Sequence, residues 1–133
     1  MWNLKTSIPI MLLSLSIGVA ADSGYGVTCN SISYYNARDG SKVIFANCRE
    51  PSGIYNVGNA INPNSCFANA NGQLVGRLWG GYSGSCTDVD ISGTILHANC
   101  KNEAGDYVYT TIETNDWIGN YDGLMKCFGQ NGL

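Results

Sequence analysis

The chain is poor in the residues from which most active sites are built. It has one histidine, His97, and only 13% charged side chains, against about a quarter in an average soluble domain. Ten acidic residues outnumber seven basic ones, so no basic stripe is available to hold phosphates, which excludes nucleic acid as a natural partner. No two cysteines stand closer than Cys86 and Cys100, so the tight pairs that hold zinc are missing. No metal or cofactor is expected. The acids are scattered, mostly near turns, and glycoside hydrolysis needs two carboxylates facing across a cleft. The chain therefore does not read as an enzyme.

Long apolar runs are also lacking, with one exception at the start. Residues 1–21 carry one base, Lys5, then an almost uncharged stretch from Ile8 to Ala20 ending in the small residues Val19, Ala20 and Ala21. Pro9 and two serines, Ser14 and Ser16, interrupt this run, which is short for a membrane span of roughly 20 apolar residues. It reads as a signal peptide, so the expectation is a secreted protein with no membrane insertion. The remainder, residues 22–133, suits a single domain, with six bases against ten acids and a net charge of −4.

What the sequence has in quantity is cysteine, glycine, tyrosine and repetition. All six cysteines fall after residue 21, as expected of a small secreted domain held by three disulfides. Ala46-Asn47-Cys48 recurs as Ala98-Asn99-Cys100, and Gly53 recurs at the same offset as Gly105. From Ile61 and Ile112 onward the offset is one residue shorter: Asn64 falls on Asn115, Asn69 on Asn120, Asn71 on Asp122 and Gly72 on Gly123. A one-residue slip in a loop is the expected source of that change. The chain is an internal duplication, with repeat one at about residues 25–75 and repeat two at about 82–127.

Each copy begins with a cysteine, runs through a short strand, turns, and returns through β-branched residues to Ala-Asn-Cys. Gly93, in the Ser92-Gly93 turn, lies midway between Cys86 and Cys100, so an antiparallel hairpin folded there sets the two cysteines face to face. The Asp39-Gly40 turn stands near the midpoint of Cys29 and Cys48 and does the same. Cys66 and Cys127 remain, and their pairing would join the two copies. Lys42 to Phe45, Thr94 to His97 and Tyr107 to Ile112 read as strands. Pro63 to Ala68 and Thr114 to Gly119 read as short helical turns, with Asn64 and Asn115 suited to their N-termini.

Duplicated cysteine hairpins, each followed by an isoleucine and an Asn-x-Asp/Asn-Gly phrase, resemble the cyanovirin-N homology family. The resemblance runs from about Tyr25 to Cys127 and is strongest over Tyr107 to Ile112 and Asp116 to Leu124. It implies an all-β fold of two pseudo-symmetric repeats, each a three-stranded sheet plus a β-hairpin, with strands exchanged between repeats. It also implies a secreted, fungal-type lectin that binds mannose-rich glycans or glycoproteins without cofactor, as a monomer or a domain-swapped dimer.

Carried over position by position, the first site would use the segment before Cys29 with Thr28, the segment Arg49 to Ser52 including Glu50, and Asn120, Tyr121 and Asp122. The second would use Asn69 and Asn71, the segment before Cys86 with Ser83 and Ser85, and Lys101, Asn102 and Glu103. Asn and Asp side chains suit the fixed hydroxyl pairs of a pyranose. The chain departs from the family pattern at Arg49, Gly84 and Asn71. Asn71 replaces a carboxylate, giving up a charge-assisted hydrogen bond roughly twice as strong as a neutral one. The Asn120–Asp122 site is therefore the favoured one.

Other readings stand beside these. The Asn-x-Asp-Gly phrase also makes sense as a turn alone, with Gly supplying positive φ. The departures at Arg49, Asn71 and Gly84 fit a secreted protein-interaction or effector-like module on the same fold. His97 and Tyr107/Tyr109 read as ordinary strand residues. Trp79, in the glycine-rich connector 76–84, reads as packing over the seam between repeats.

Overall fold

In a computed structural model of the protein, the structure describes residues 22–130. The leader assigned to residues 1–21 lies outside them. A one-turn helix α1 (Tyr25–Thr28) leads into β1 (Cys29–Asn36), β2 (Lys42–Arg49) and β3 (Tyr55–Ile61), a three-stranded antiparallel sheet in that order. A two-stranded hairpin follows, β4 (Phe67–Ala70) with β5 (Gln73–Gly76). The second repeat has the same parts: sheet β6 (Cys86–Ser92), β7 (Ile95–Lys101) and β8 (Tyr107–Glu113), then hairpin β9 (Gly119–Tyr121) with β10 (Leu124–Lys126).

The hairpins are exchanged between repeats. β10 of the second repeat lies along β3 of the first, where the Met125 amide donates to Asn59 Oδ1 at 2.7 Å. Conversely β5 lies along β8, with the Leu74 amide donating to Thr110 Oγ1 at 3.1 Å. Each half is thus completed by a piece of the other. The buried core runs through both, with Ile44, Ile61 and Phe67 from the first repeat and Leu96, Ile118 and Met125 from the second all fully enclosed.

The cysteine registers agree with the hairpin reading. Cys29 faces Cys48 and Cys86 faces Cys100 across their ladders, and both pairs are bridged. Cys66 bridges Cys127 and ties repeat one to the end of repeat two.

Three expectations need correction. The change of offset between the copies is not in a loop: it is a β-bulge inside β3. Cys48 pairs with Asn56 as Cys100 pairs with Val108, but Ala46 pairs with Asn59 where Ala98 pairs with Thr110. The extra residue lies at Val57–Gly58, and Gly58 takes φ +80°, a conformation glycine adopts without steric cost.

The short turns are 3₁₀ helices at Pro63–Ser65 and Thr114–Asp116, but Asn64 and Asn115 are not their caps. Asn62 caps the first through its side chain, which accepts from the Asn64 amide at 2.9 Å. Asn64 and Asn115 reach across to the other repeat instead: Asn64 Nδ2 donates to Ser83 Oγ, and Asn115 Oδ1 accepts from the Gly26 amide, both at 2.7 Å. Trp79 does not pack over the seam, since 63% of it is exposed. Trp117 fills that role, its ring lying against Gly76 and 5.8 Å from Phe128.

Candidate functional site

The Asn-x-Asp/Asn-Gly phrase forms the tip of each exchanged hairpin. Tyr121 pairs with Leu124 and Ala70 with Gln73, so the two-residue loops are Asp122-Gly123 and Asn71-Gly72. Both residues of each loop have positive φ, 54° and 94° in one and 51° and 90° in the other. This is the primed turn that suits the twist of a tight hairpin, and Asp-Gly or Asn-Gly is its preferred sequence.

The first Asn of the phrase is structural in both copies. Asn120 Nδ2 donates to Thr28 Oγ1 at 2.8 Å and to the Arg49 carbonyl at 2.9 Å, while its Oδ1 accepts from the Gly123 amide at 2.8 Å. Asn69 repeats this with Ser85 Oγ, the Lys101 carbonyl and the Gly72 amide. One side chain therefore holds three segments: the residue before a cysteine, the residue after its partner, and the hairpin tip. Both amide protons are engaged, so Asn120 and Asn69 position the site more than they face out of it.

The copies diverge at the next polar residue. Asn71 Oδ1 accepts from the Glu103 amide at 2.8 Å, which closes the tip onto the loop after Cys100. The position matching Glu103 after Cys48 is Pro51, which has no N–H to give. Asp122 consequently accepts no hydrogen bond from any described residue, and neither does the Glu50 carboxylate. Asn102, the counterpart of Glu50, bonds the Asp106 amide at 2.9 Å and closes its own turn.

The first end is therefore an open cleft of about 490 Å³, lined by Thr28, Arg49, Glu50, Asn120 and Asp122 together with Pro51 to Gly53. Five of the six residues assigned to this site from the sequence are brought together. The sixth, Tyr121, lies on the other face of its strand, as alternation requires. Its ring sits under Lys126 Nζ at 5.5 Å, and a hydrogen bond to the Asp22 carboxylate raises its phenol above the usual tyrosine range.

At the second end Asn69, Asn71, Ser85, Lys101, Asn102 and Glu103 are gathered, but mostly by bonds to one another. Ser83 stands apart from them, bound to Asn64. The signal that separates the ends was present as Cys-Arg-Glu-Pro against Cys-Lys-Asn-Glu. Its meaning depends on which amide meets the hairpin tip, and only the folded register shows that.

Comparison with known proteins bears on the fold and the family. A CVNH domain model matches residues 82–132, the second repeat with its hairpin. GzCVNH of Gibberella zeae is 25% identical, superposes with a TM-score of 0.62, and is matched over 78% of this chain and 96% of its own. The second repeat matches the cyanovirin-N homology model, and the described chain as a whole shares that fold. Two further structures share the fold at lower identity. Microvirin, solved in complex with mannobiose, is 20% identical with a TM-score of 0.61, over 79% of this chain and 98% of its own. A MoCVNH3 variant, solved in complex with (N-GlcNAc)4, is 17% identical with a TM-score of 0.65, over 79% and 97%. The cyanovirin-N homology fold thus accounts for both sheets, the exchanged hairpins and the pseudo-symmetry of the two ends.

Proposed function

We propose that the protein is a secreted, non-enzymatic lectin for mannose-type glycans, and that it binds them chiefly at the Thr28–Arg49–Asp122 cleft. The observation that carries this reading is the pair of unengaged carboxylates, Glu50 and Asp122, in a cleft whose walls are already fixed by Asn120. A carboxylate accepts from two neighbouring sugar hydroxyls at once, and the Arg49 guanidinium, exposed beside it, can donate to a third. Charge-assisted bonds of this kind are roughly twice as strong as neutral ones, which matters in a shallow site where each ordinary bond nets about 1 kcal/mol. Relatives of the same fold solved with mannobiose and with a GlcNAc oligomer support saccharides as the ligand class.

The second end, with Asn71 tied to the loop after Cys100 and Asn102 to its own turn, binds more weakly in this account. Titration calorimetry with mannobiose tests the proposal: the protein binds, and Asp122→Ala removes the tighter binding event while leaving the fold intact. Absence of binding to every mannose-bearing glycan on an array would overturn it in favour of a protein-interaction module.

A further inference from the structure

A second cleft, of about 370 Å³, lies between the repeats, away from both hairpin tips. Its wall combines Tyr34 and Lys42 from the first repeat with Ser83, Thr87, Asp88 and Val89 from the second. The volume falls within the roughly 300–1,000 Å³ usual for small-molecule sites.

The duplication supplies an internal control for what the fold itself requires here. Asp88 sits in a β-bulge of β6 with φ 53°, and Ser31, its counterpart two residues after Cys29, sits in the same bulge with φ 56°. The bulge is therefore common to both copies. The polar side chains are not. Where this cleft has Tyr34, Lys42, Ser83 and Asp88, the corresponding positions of the other copy are Ile91, Thr94, Gly26 and Ser31. There the space is closed: a Cβ on Gly26 would lie 2.9 Å from Asn115 Oδ1 and 3.0 Å from Thr94 Cγ2. One copy fills its groove with short, internally bonded residues, and the other lines an open groove with an ammonium, a carboxylate and three hydroxyls.

Those groups are oriented yet retain capacity. Asp88 Oδ2 accepts from Asn99 Nδ2 at 3.0 Å, which leaves its other oxygen free of described partners. Ser83 Oγ accepts from Asn64, so its own proton is available, and the Tyr34 hydroxyl is anchored 2.8 Å from that of buried Tyr82. Lys42 and Asp88 form no ion pair with each other among the described residues. A ligand must then satisfy an acceptor-only carboxylate, a donor-only ammonium and hydroxyls that do both. Neighbouring hydroxyls on a saccharide ring meet all three demands without bringing charge, and Val89 and the Tyr34 ring offer apolar surface to the ring's C–H face.

We infer that this inter-repeat cleft is an additional saccharide-binding subsite, built around Asp88 and Lys42 and independent of the Asp122 cleft. Amide-shift titration of the whole protein tests it, with mannobiose, (N-GlcNAc)4 and glycine as separate probes. The expected result is saturable shifts at Ser83 and Thr87 to Val89 with at least one of the two saccharides. Those shifts weaken about tenfold or more in Asp88→Asn and in Lys42→Ala, while shifts near Asp122 are unchanged. Asn tolerates the left-handed conformation at position 88, and the exposed Lys42 gives a second variant that does not touch the bulge. No shift at these amides with either saccharide, or shifts with the zwitterion glycine alone, would overturn the inference. Failure of the Asp122 cleft would register at different amides.

Discussion

At the scale of single residues, Asn120 and Asp122 separate building from binding although they stand two positions apart. Asn120→Ala removes three hydrogen bonds that join three segments, so it should lower stability by about 2–3 kcal/mol. In a domain of this size that is a fall of roughly 10 °C or more in melting temperature, measurable by calorimetry. Asp122→Asn removes a carboxylate that bonds nothing described, so melting should not change while mannobiose affinity falls about tenfold. Tyr25 offers a pH test of the core. Its hydroxyl is buried 2.8 Å from Thr114 Oγ1, and burial pushes its pKa up to about 12. The neutral form is the one the fold holds, so this stabilisation is full below about pH 10 and is lost as pH rises toward 12. Tyr25→Phe should flatten the alkaline limb of the unfolding curve in that window.

Much of this scale was legible beforehand, and the part that was not has a physical reason. The equivalence of Asn69 with Asn120 and of Asn71 with Asp122 follows from letters alone. That the two Asn residues build the site, and that Pro51 leaves Asp122 open, depends on which backbone amide meets each side chain. Trp79 and Trp117 show the same limit, because composition marks both as apolar but only packing decides which is covered.

At the scale of elements, the hairpin tip depends on glycine for two separate reasons. Gly123 has φ +94°, and a Cβ there would lie 2.9 Å from Glu50 Cγ and 3.0 Å from Asn56 Cβ. Gly53 has φ +92° but meets nothing within 4 Å. Gly53→Ala should therefore carry only the backbone penalty, on the order of 1 kcal/mol, and Gly123→Ala distinctly more, as chemical denaturation of the two variants will show. The Gly123 variant should also lose sugar affinity, since Glu50 must move. Strands, turns and the two cysteine hairpins were readable from the β-branched runs and turn residues. The bulge at Val57–Gly58 was visible only as a change of offset, and a sequence offset does not distinguish a longer loop from an extra residue inside a ladder.

At the scale of the whole molecule, the exchanged hairpins make each end a joint product of both repeats, and Cys66–Cys127 is the covalent form of that dependence. The bridge spans 61 residues, so the chain-entropy model assigns it about 4 kcal/mol. Replacing both cysteines by serine should lower the melting temperature by roughly 15 °C or more and loosen both ends together.

The central claim is that two copies of one motif have become unequal, with an open site at Asp122 and a self-satisfied one at Asn71. An amide-shift map of the protein with mannobiose tests it most directly. The account predicts that, of the two hairpin ends, shifts appear first and saturate at lower sugar concentration around Thr28, Arg49 to Gly53 and Asn120 to Asp122. Shifts that favour Asn69, Asn71 and Asn102 to Glu103, or equal responses at the two ends, would contradict it.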